Sequence, residues 1–199
     1  FYTYALTEES LRQVEDEVKA AQSLGLPASF VSEIPLPFPI RGAIRFDNQA
    51  QFHPRKFLLG LASSITGEGS FIFENSRVTD VEEGKICTII SEKGQIRARN
   101  VIVATNYPIW DKKGLYFARL YPGRSYALGI RIREQFPGGM YIDADESGYA
   151  WRSQPEAEGE LAIVSGRNHL TGQGDAREQY QKLKEYADKN YDRASVEYS

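Results

Sequence analysis

Few side chains in this chain have both the type and the setting to do chemistry, and Arg152 comes first among them. It follows Tyr149, Ala150 and Trp151 at the end of a segment that reads as a strand. A guanidinium held beside aromatic rings can bind a carboxylate through two parallel hydrogen bonds. The same residues also describe a surface arginine stacked on Trp151, and spacing alone favours that plainer role. Neither histidine, His53 or His169, has a neighbour that marks it as an activated base. His53 precedes Pro54 and suits a helix entry. His169 sits in the glycine-bounded stretch 166–173, where a binding role and an ordinary polar loop are equally well supported. One cysteine, Cys87, and two histidines leave no internal disulfide and no zinc spacing. No G-x-G-x-x-G, G-x-x-x-x-G-K or G-x-S-x-G occurs, so neither a self-contained dinucleotide site nor a nucleophile elbow can be read.

The elements that must position these groups are organised around residues 94–106. Ile96 and Ala98 alternate with Gln95, Arg97 and Arg99, and an unbroken apolar run follows at 101–104. That pattern predicts a strand covered on both faces, ending in a small polar corner of Ala104, Thr105 and Asn106. Ligands of open α/β sheets lie beyond such strand ends, although a plain core strand has the same pattern. Upstream, Thr7 as N-cap with Glu8 and Glu9 behind it starts an amphipathic helix that Gly25 stops. The four prolines of 26–40 exclude a second helix there. Residues 41–52 read as a strand pair turning at Asp47-Asn48, and Pro54 opens a helix whose stripe is Phe57, Leu58, Leu61, Ala62 and Ile65. Strands are expected at 70–74 and 77–81, then a hairpin of 86–90 with 95–99.

Beyond Pro108 the character is antiparallel. Tyr126, Leu128, Ile130 and Ile132 form an apolar face, and Ala127, Gly129, Arg131 and Arg133 form one that is small at first, open to a flat ligand, and then basic. Strands follow at 140–143, 149–152 and 161–165, with a turn at 155–159. Asp175 and Glu178 suggest a capping box for a last helix with Ala176, Tyr180, Leu183 and Ala187 on its buried stripe. The aromatics Tyr107, Trp110, Tyr116, Phe117, Tyr121 and Tyr126 could wall a pocket or be core.

With 199 residues, 41% hydrophobic and 26% charged, the chain can bury a sizeable core. Its net charge of −3 gives no electrostatic reason to expect nucleic acid or an anionic membrane as partner. No apolar run is long enough to span a bilayer and no signal peptide is visible, so a cytoplasmic location is expected. The opening at Phe1 and the strand-like close at 195–199 suggest a piece of a longer protein.

Residues 46–58 (FDNQAQFHPRKFL), 74–81 (ENSRVTDV) and 94–106 (GQIRARNVIVATN) resemble, in order, the central part of FAD-dependent oxidoreductases of the D-amino-acid oxidase, glycine oxidase and sarcosine oxidase superfamily. Residues 137–143, 149–153 and 166–173 resemble the substrate-domain sheet of the same group. The resemblance implies an α+β chain: a mixed, mainly antiparallel substrate-domain sheet with flanking helices, plus a remnant of a Rossmann-like FAD-binding domain. By position, 1–42 would be a substrate-domain helix and extended segment, 43–110 a partial FAD-binding segment, and 111–199 the substrate-binding sheet and helix. It implies FAD contacts at Val78, Ala104, Thr105 and Asn106, the family usually carrying glycine where Asn106 stands. Arg152 would hold a substrate carboxylate, with Tyr149 and His169 beside the substrate. The implied reaction is hydride transfer from a small amine or amino acid to flavin, with no catalytic base required. Lacking a diphosphate-binding glycine motif, the isolated chain is expected to bind FAD weakly or not at all and to be inactive. A flavoenzyme of another reaction type and a non-enzymatic α+β binding domain are the alternatives.

Overall fold

The computed structural model describes residues 1–111, 114–146, 148–157 and 159–199. In chain order its elements are β1 (Tyr2–Ala5), α1 (Glu8–Ser23), β2 (Ala28–Val31), β3 (Gly42–Phe46), α2 (Pro54–Ile65), β4 (Val78–Glu82), β5 (Cys87–Ser91) and β6 (Gly94–Ala98). A 3-10 turn (Tyr116–Ala118) then leads to β7 (Gly123–Ile132), β8 (Met140–Asp143), β9 (Ala150–Glu156), β10 (Gly159–Leu170), α3 (Ala176–Asn190) and β11 (Arg193–Tyr198). The chain forms two compact units, one of Phe1–His53 with Pro122–Ser199 and one of Pro54–Tyr121. No helix among the described residues is long and apolar enough to cross a membrane.

The larger unit is a mixed, mainly antiparallel sheet in the order β11-β7-β10-β9-β8-β1-β3-β2. Its one parallel pairing, β1 with β8, sets Tyr2 opposite Tyr141 and Tyr4 opposite Asp143. Strand alternation gives the sheet two apolar faces. On one, Tyr4, Tyr126, Leu128, Ile130, Tyr141, Trp151 and Val164 pack with Leu183 and Ala187 of α3 and with Leu36 and Phe38 of the proline-rich segment. On the other, Ala5 and Ile44 pack under Val14, Val18 and Ala21 of α1. α1 packs on β1, β2 and β3, so among the described residues of this unit no helix packs on the same face of β8, β9, β10 and β7. Each large side chain buried this way stabilises the unit by about 1.5–3 kcal/mol.

α1 begins as its residues dictate: Thr7 is extended, its side chain accepts from the Ser10 N–H, and Ser10 completes the capping box. The 41–52 strand pair does not form. β3 lies between β1 and β2, and after Phe46 the chain turns through Asn48, whose φ of 56° is left-handed. Asp175 caps α3 by accepting from Arg177 N–H, whereas Glu178 pairs with Lys182 rather than closing a capping box. Of the expected turn at 155–159, Pro155 and Glu156 extend β9, and Glu158 lies outside the described residues. Nor is the small face of β7 open at Gly129, where a Cβ would meet Leu161 and Tyr198 at 3.0 Å.

In the smaller unit β4, β5 and β6 form an antiparallel sheet, with the β5–β6 hairpin turning through Glu92-Lys93. Two strand expectations fail here. Residues 70–74 make only an isolated bridge, Gly67 with Ser70, and Phe71 is 72% exposed. The run 101–104 is not a strand and Ile102 is 89% exposed. A two-faced apolar strand needs neighbours on both edges and both faces, and none of the described strands supplies them. α2 forms with Pro54 at its first position, yet no residue of it is buried.

Candidate functional site

Arg152 lies on β9 with Met140 of β8 and Ile163 of β10 directly across from it. Alternation puts it opposite Trp151, hence on the helix-free face of the sheet. The next row on that face is Ala127, Ser165, Ala150 and Ile142. These neighbours are small or apolar, and the Arg152 side chain is half-buried among them. Arg131, two strands away on the same face, is 19% exposed and neutralised by Glu156 at 2.9 Å. The Arg152 guanidinium, by contrast, makes no hydrogen bond or ion pair with any described residue. A half-buried cation without a counter-ion beside an apolar floor is suited to a carboxylate that brings its own apolar body.

Tyr149 and His169 lie on the other side of the sheet. Tyr149 stacks on Tyr186 of α3, with centroids 3.7 Å apart, and its N–H donates to Asp143 Oδ2 at 3.0 Å. His169 Nε2 bonds the Tyr126 hydroxyl at 2.8 Å, and Tyr126 meets Tyr180 of α3 edge-on. The sheet thus separates these two from Arg152, and the three do not form one cluster. The tyrosines of the covered face are held neutral. Burial, with Tyr2 alongside, pushes Tyr141 up to about 12, and burial raises Tyr4, Tyr186 and Tyr191 as well.

The remaining candidates lie in the smaller unit. Val78 begins β4, an edge strand of the small sheet, so part of its backbone points away from β5. Thr105 and Asn106 line a cavity of about 430 Å³ together with Val103, Pro108, Trp110, Tyr116 and Leu120, while Ala104 does not line it. That volume is within the range of small-molecule sites, about 300–1,000 Å³. Two of the aromatics read from the sequence, Trp110 and Tyr116, are therefore walls, whereas Tyr126 is core. The Trp110 indole nitrogen is buried without a hydrogen-bond partner among the described residues. Such an orphaned donor costs about 1–3 kcal/mol. Beside it the Asp111 carboxylate accepts from the Tyr116 and Phe117 amides, at 2.9 Å each, and so fixes the 3-10 turn against the cavity.

Sequence reasoning missed one organising residue, Asp145, in the turn after β8. Its Oδ2 accepts from Leu6 N–H at 2.9 Å, and its Oδ1 accepts from the hydroxyls of Thr7 and Ser10 at 2.7 and 2.9 Å. Burial works against the ionised form, but these hydrogen bonds together hold the carboxyl below its usual value. An acidic turn residue is visible in the sequence. Its reach to Thr7 follows from the parallel β1–β8 pairing, which is not.

Residues 1–198 match the DAO family, described as FAD dependent oxidoreductase. The chain belongs to that family of FAD-dependent oxidoreductases of the D-amino-acid oxidase type. Among curated proteins it is 31% identical over 199 residues to "Putative Rieske 2Fe-2S iron-sulfur protein YhfW" of Bacillus subtilis (strain 168). The match covers 99% of this chain and 39% of that protein's length. Among solved structures it is similar to glycine oxidase from Geobacillus kaustophilus, with a TM-score of 0.73 and 15% identity over 98% of this chain and 56% of that one. At that identity the likeness concerns the fold.

Proposed function

We propose that this chain is the substrate-binding core of an FAD-dependent oxidoreductase acting on a small amine or amino acid that bears a carboxylate. The observation that carries the reading is Arg152: a half-buried guanidinium with no counter-ion among the described residues, on a helix-free sheet face, in a chain of this family. FAD, when bound, would supply the acceptor for a hydride from the amine carbon. Arg152 would grip the substrate carboxylate in bidentate fashion, and Met140, Ile163 and Ile142 would exclude water around the rest of the molecule and limit its orientations. Tyr149 and His169 would support the site only from behind, through the packing of α3.

The smaller unit fits part of the cofactor. Its cavity, lined by Thr105, Asn106 and the rings of Trp110 and Tyr116, would suit a flat ring, and the edge backbone at Val78 would suit contacts of the adenine kind. Ala104 would contribute only by keeping the chain small beside them. No glycine loop able to hold the diphosphate occurs in the sequence, so FAD binding by the chain alone would be weak. The name of the Bacillus relative supports a second element of this reading, an iron–sulfur centre elsewhere in the whole protein. Dioxygen would then not be required as the electron acceptor.

The test is the visible spectrum of the full-length protein and its anaerobic titration with amino acids and secondary amines. One of them should bleach the flavin band. Arg152→Ala should weaken carboxylate-bearing substrates about 10- to 100-fold and leave amines without a carboxylate unchanged. Equal loss for both classes, or no loss, would show that Arg152 does not read the carboxylate.

A further inference from the structure

We infer that the hydroxyl of Ser165 accepts a hydrogen bond from the substrate's amine, so that the site selects compounds whose amine and carboxylate sit on the same carbon; this rests on the reading of Arg152 as the carboxylate anchor. Ser165 lies on β10 directly across from Ala150 of β9 and Ala127 of β7, two residues beyond Ile163, which faces Arg152. It is therefore the diagonal neighbour of Arg152 on the same face of the sheet, about 7–8 Å away, a gap that a long side chain spans. The pairing of β10 with β7 is regular from Ala162 to Gly166, so the shift further along does not disturb this placement. Ser165 is half-buried, and its hydroxyl makes no hydrogen bond with any described residue. Unlike the sealed hydroxyl of Ser29, it keeps accessible surface, so a ligand on the open face can reach it.

The surroundings of Arg152 set the direction in which a bound molecule lies. Along β9 toward Gln154 and Glu156 stands the Arg131–Glu156 ion pair, and an apolar body seated there would strip water from both charges. In the other direction is the row Ala127, Ser165, Ala150 and Ile142, whose one polar side-chain atom is the Ser165 hydroxyl. A molecule gripped by its carboxylate at Arg152 thus carries its body over that row. The substituent on the carbon next to the carboxylate then comes within reach of Ser165. A serine hydroxyl has two acceptor lone pairs, and an amine or ammonium group supplies the N–H. A simple carboxylic acid would leave the hydroxyl unpaired and covered, which makes the pair Arg152 and Ser165 a discriminator as well as an anchor.

The probes are α-aminoisobutyrate, pivalate and tert-butylamine. They share one shape, and their central carbon bears no hydrogen, so no hydride can leave it. Binding of each to the full-length protein is followed by ligand-observed NMR, with and without Ser165→Ala, Ser165→Thr and Arg152→Ala. Ser165→Ala should weaken α-aminoisobutyrate about tenfold and leave pivalate unchanged, and Ser165→Thr, which keeps the hydroxyl, should restore the loss. A merely structural serine would move both carboxylates together. Arg152→Ala should weaken α-aminoisobutyrate and pivalate alike and spare tert-butylamine. If Arg152→Ala weakens both carboxylates while Ser165→Ala weakens neither, or both equally, the carboxylate reading stands and the inference about Ser165 is overturned. Pivalate that binds where α-aminoisobutyrate does not overturns it too. If pivalate fails to bind, or binds Arg152→Ala as well as the unsubstituted protein, the carboxylate reading fails first and this inference falls with it.

Discussion

The larger unit buries what its sequence makes apolar, while the smaller one leaves much of it in water. In Phe1–His53 with Pro122–Ser199, Trp151 is 1% exposed and both sheet faces have apolar layers packed on them. In Pro54–Tyr121, Val81 is the one buried hydrophobic residue among those described, and Phe57, Leu58, Leu61, Phe71, Phe73 and Ile102 are exposed. Both units have well-formed local structure: α2 is a regular helix and β4, β5 and β6 pair in register. The difference teaches that hydrogen-bonded elements and a closed core are separate achievements. Only the larger unit has both.

Three substitutions in the 199-residue chain would break or sharpen that contrast, each followed by urea titration. Trp151→Ala removes the largest fully buried side chain and should cost about 3–5 kcal/mol. A much smaller loss would mean that the larger unit is less closed than its burial indicates. Asp145→Ala removes the acceptor that Leu6, Thr7 and Ser10 share and should cost about 1–2 kcal/mol at neutral pH. Because the folded state lowers this carboxyl's pKa, its contribution is complete above the unfolded value of about 3.9 and fades as pH falls through the folded one. The gap between Asp145→Ala and the unsubstituted chain should therefore be constant from neutral pH down to about pH 5 and close in stronger acid. A gap that stayed unchanged in strong acid would assign the loss to packing. Phe73→Ser, in the smaller unit, should change stability by no more than about 0.5 kcal/mol, since Phe73 is 63% exposed. A loss as large as that of Trp151→Ala would erase the distinction between the units.

What could be read from the residues follows the same division. The Thr7 cap, the Gly25 stop, the hairpin of 86–90 with 95–99 and the alternation of Tyr126, Leu128 and Ile130 are local signals, and the structure honours them. The runs at 70–74 and 101–104 carry an equally clear apolar pattern. Periodicity reports only that a segment is suited to burial, and whether a partner surface lies within the chain is not a local property. The site divides in the same way. Counting alternate residues from Trp151 sets Arg152 on one face of β9 and Tyr149 on the other, so their separation was open to inspection. His169 was not, because the pairing of β10 with β7 shifts register between Gly166 and His169, and parity cannot be counted through a bulge. Trp110 could be seen as a pocket aromatic, but its unpaired nitrogen follows from packing alone.

The place of β1 between β8 and β3 bears on the birth of the protein as well as on its finished form. Tyr4, wholly buried, is covered in part by Tyr186, 182 residues further along, with their hydroxyls 3.3 Å apart. At a synthesis rate of about 5–20 residues per second, that partner leaves the ribosome roughly 10 to 40 s after Tyr4 does. Throughout that interval β1 can pair with β3 and rest against α1, but its tyrosine face has only Leu36 and Phe38 to cover it, without β8 or α3. The nascent chain is therefore a client for any chaperone that shields apolar strands, and slowing elongation between β3 and β8 should lengthen its dependence on one.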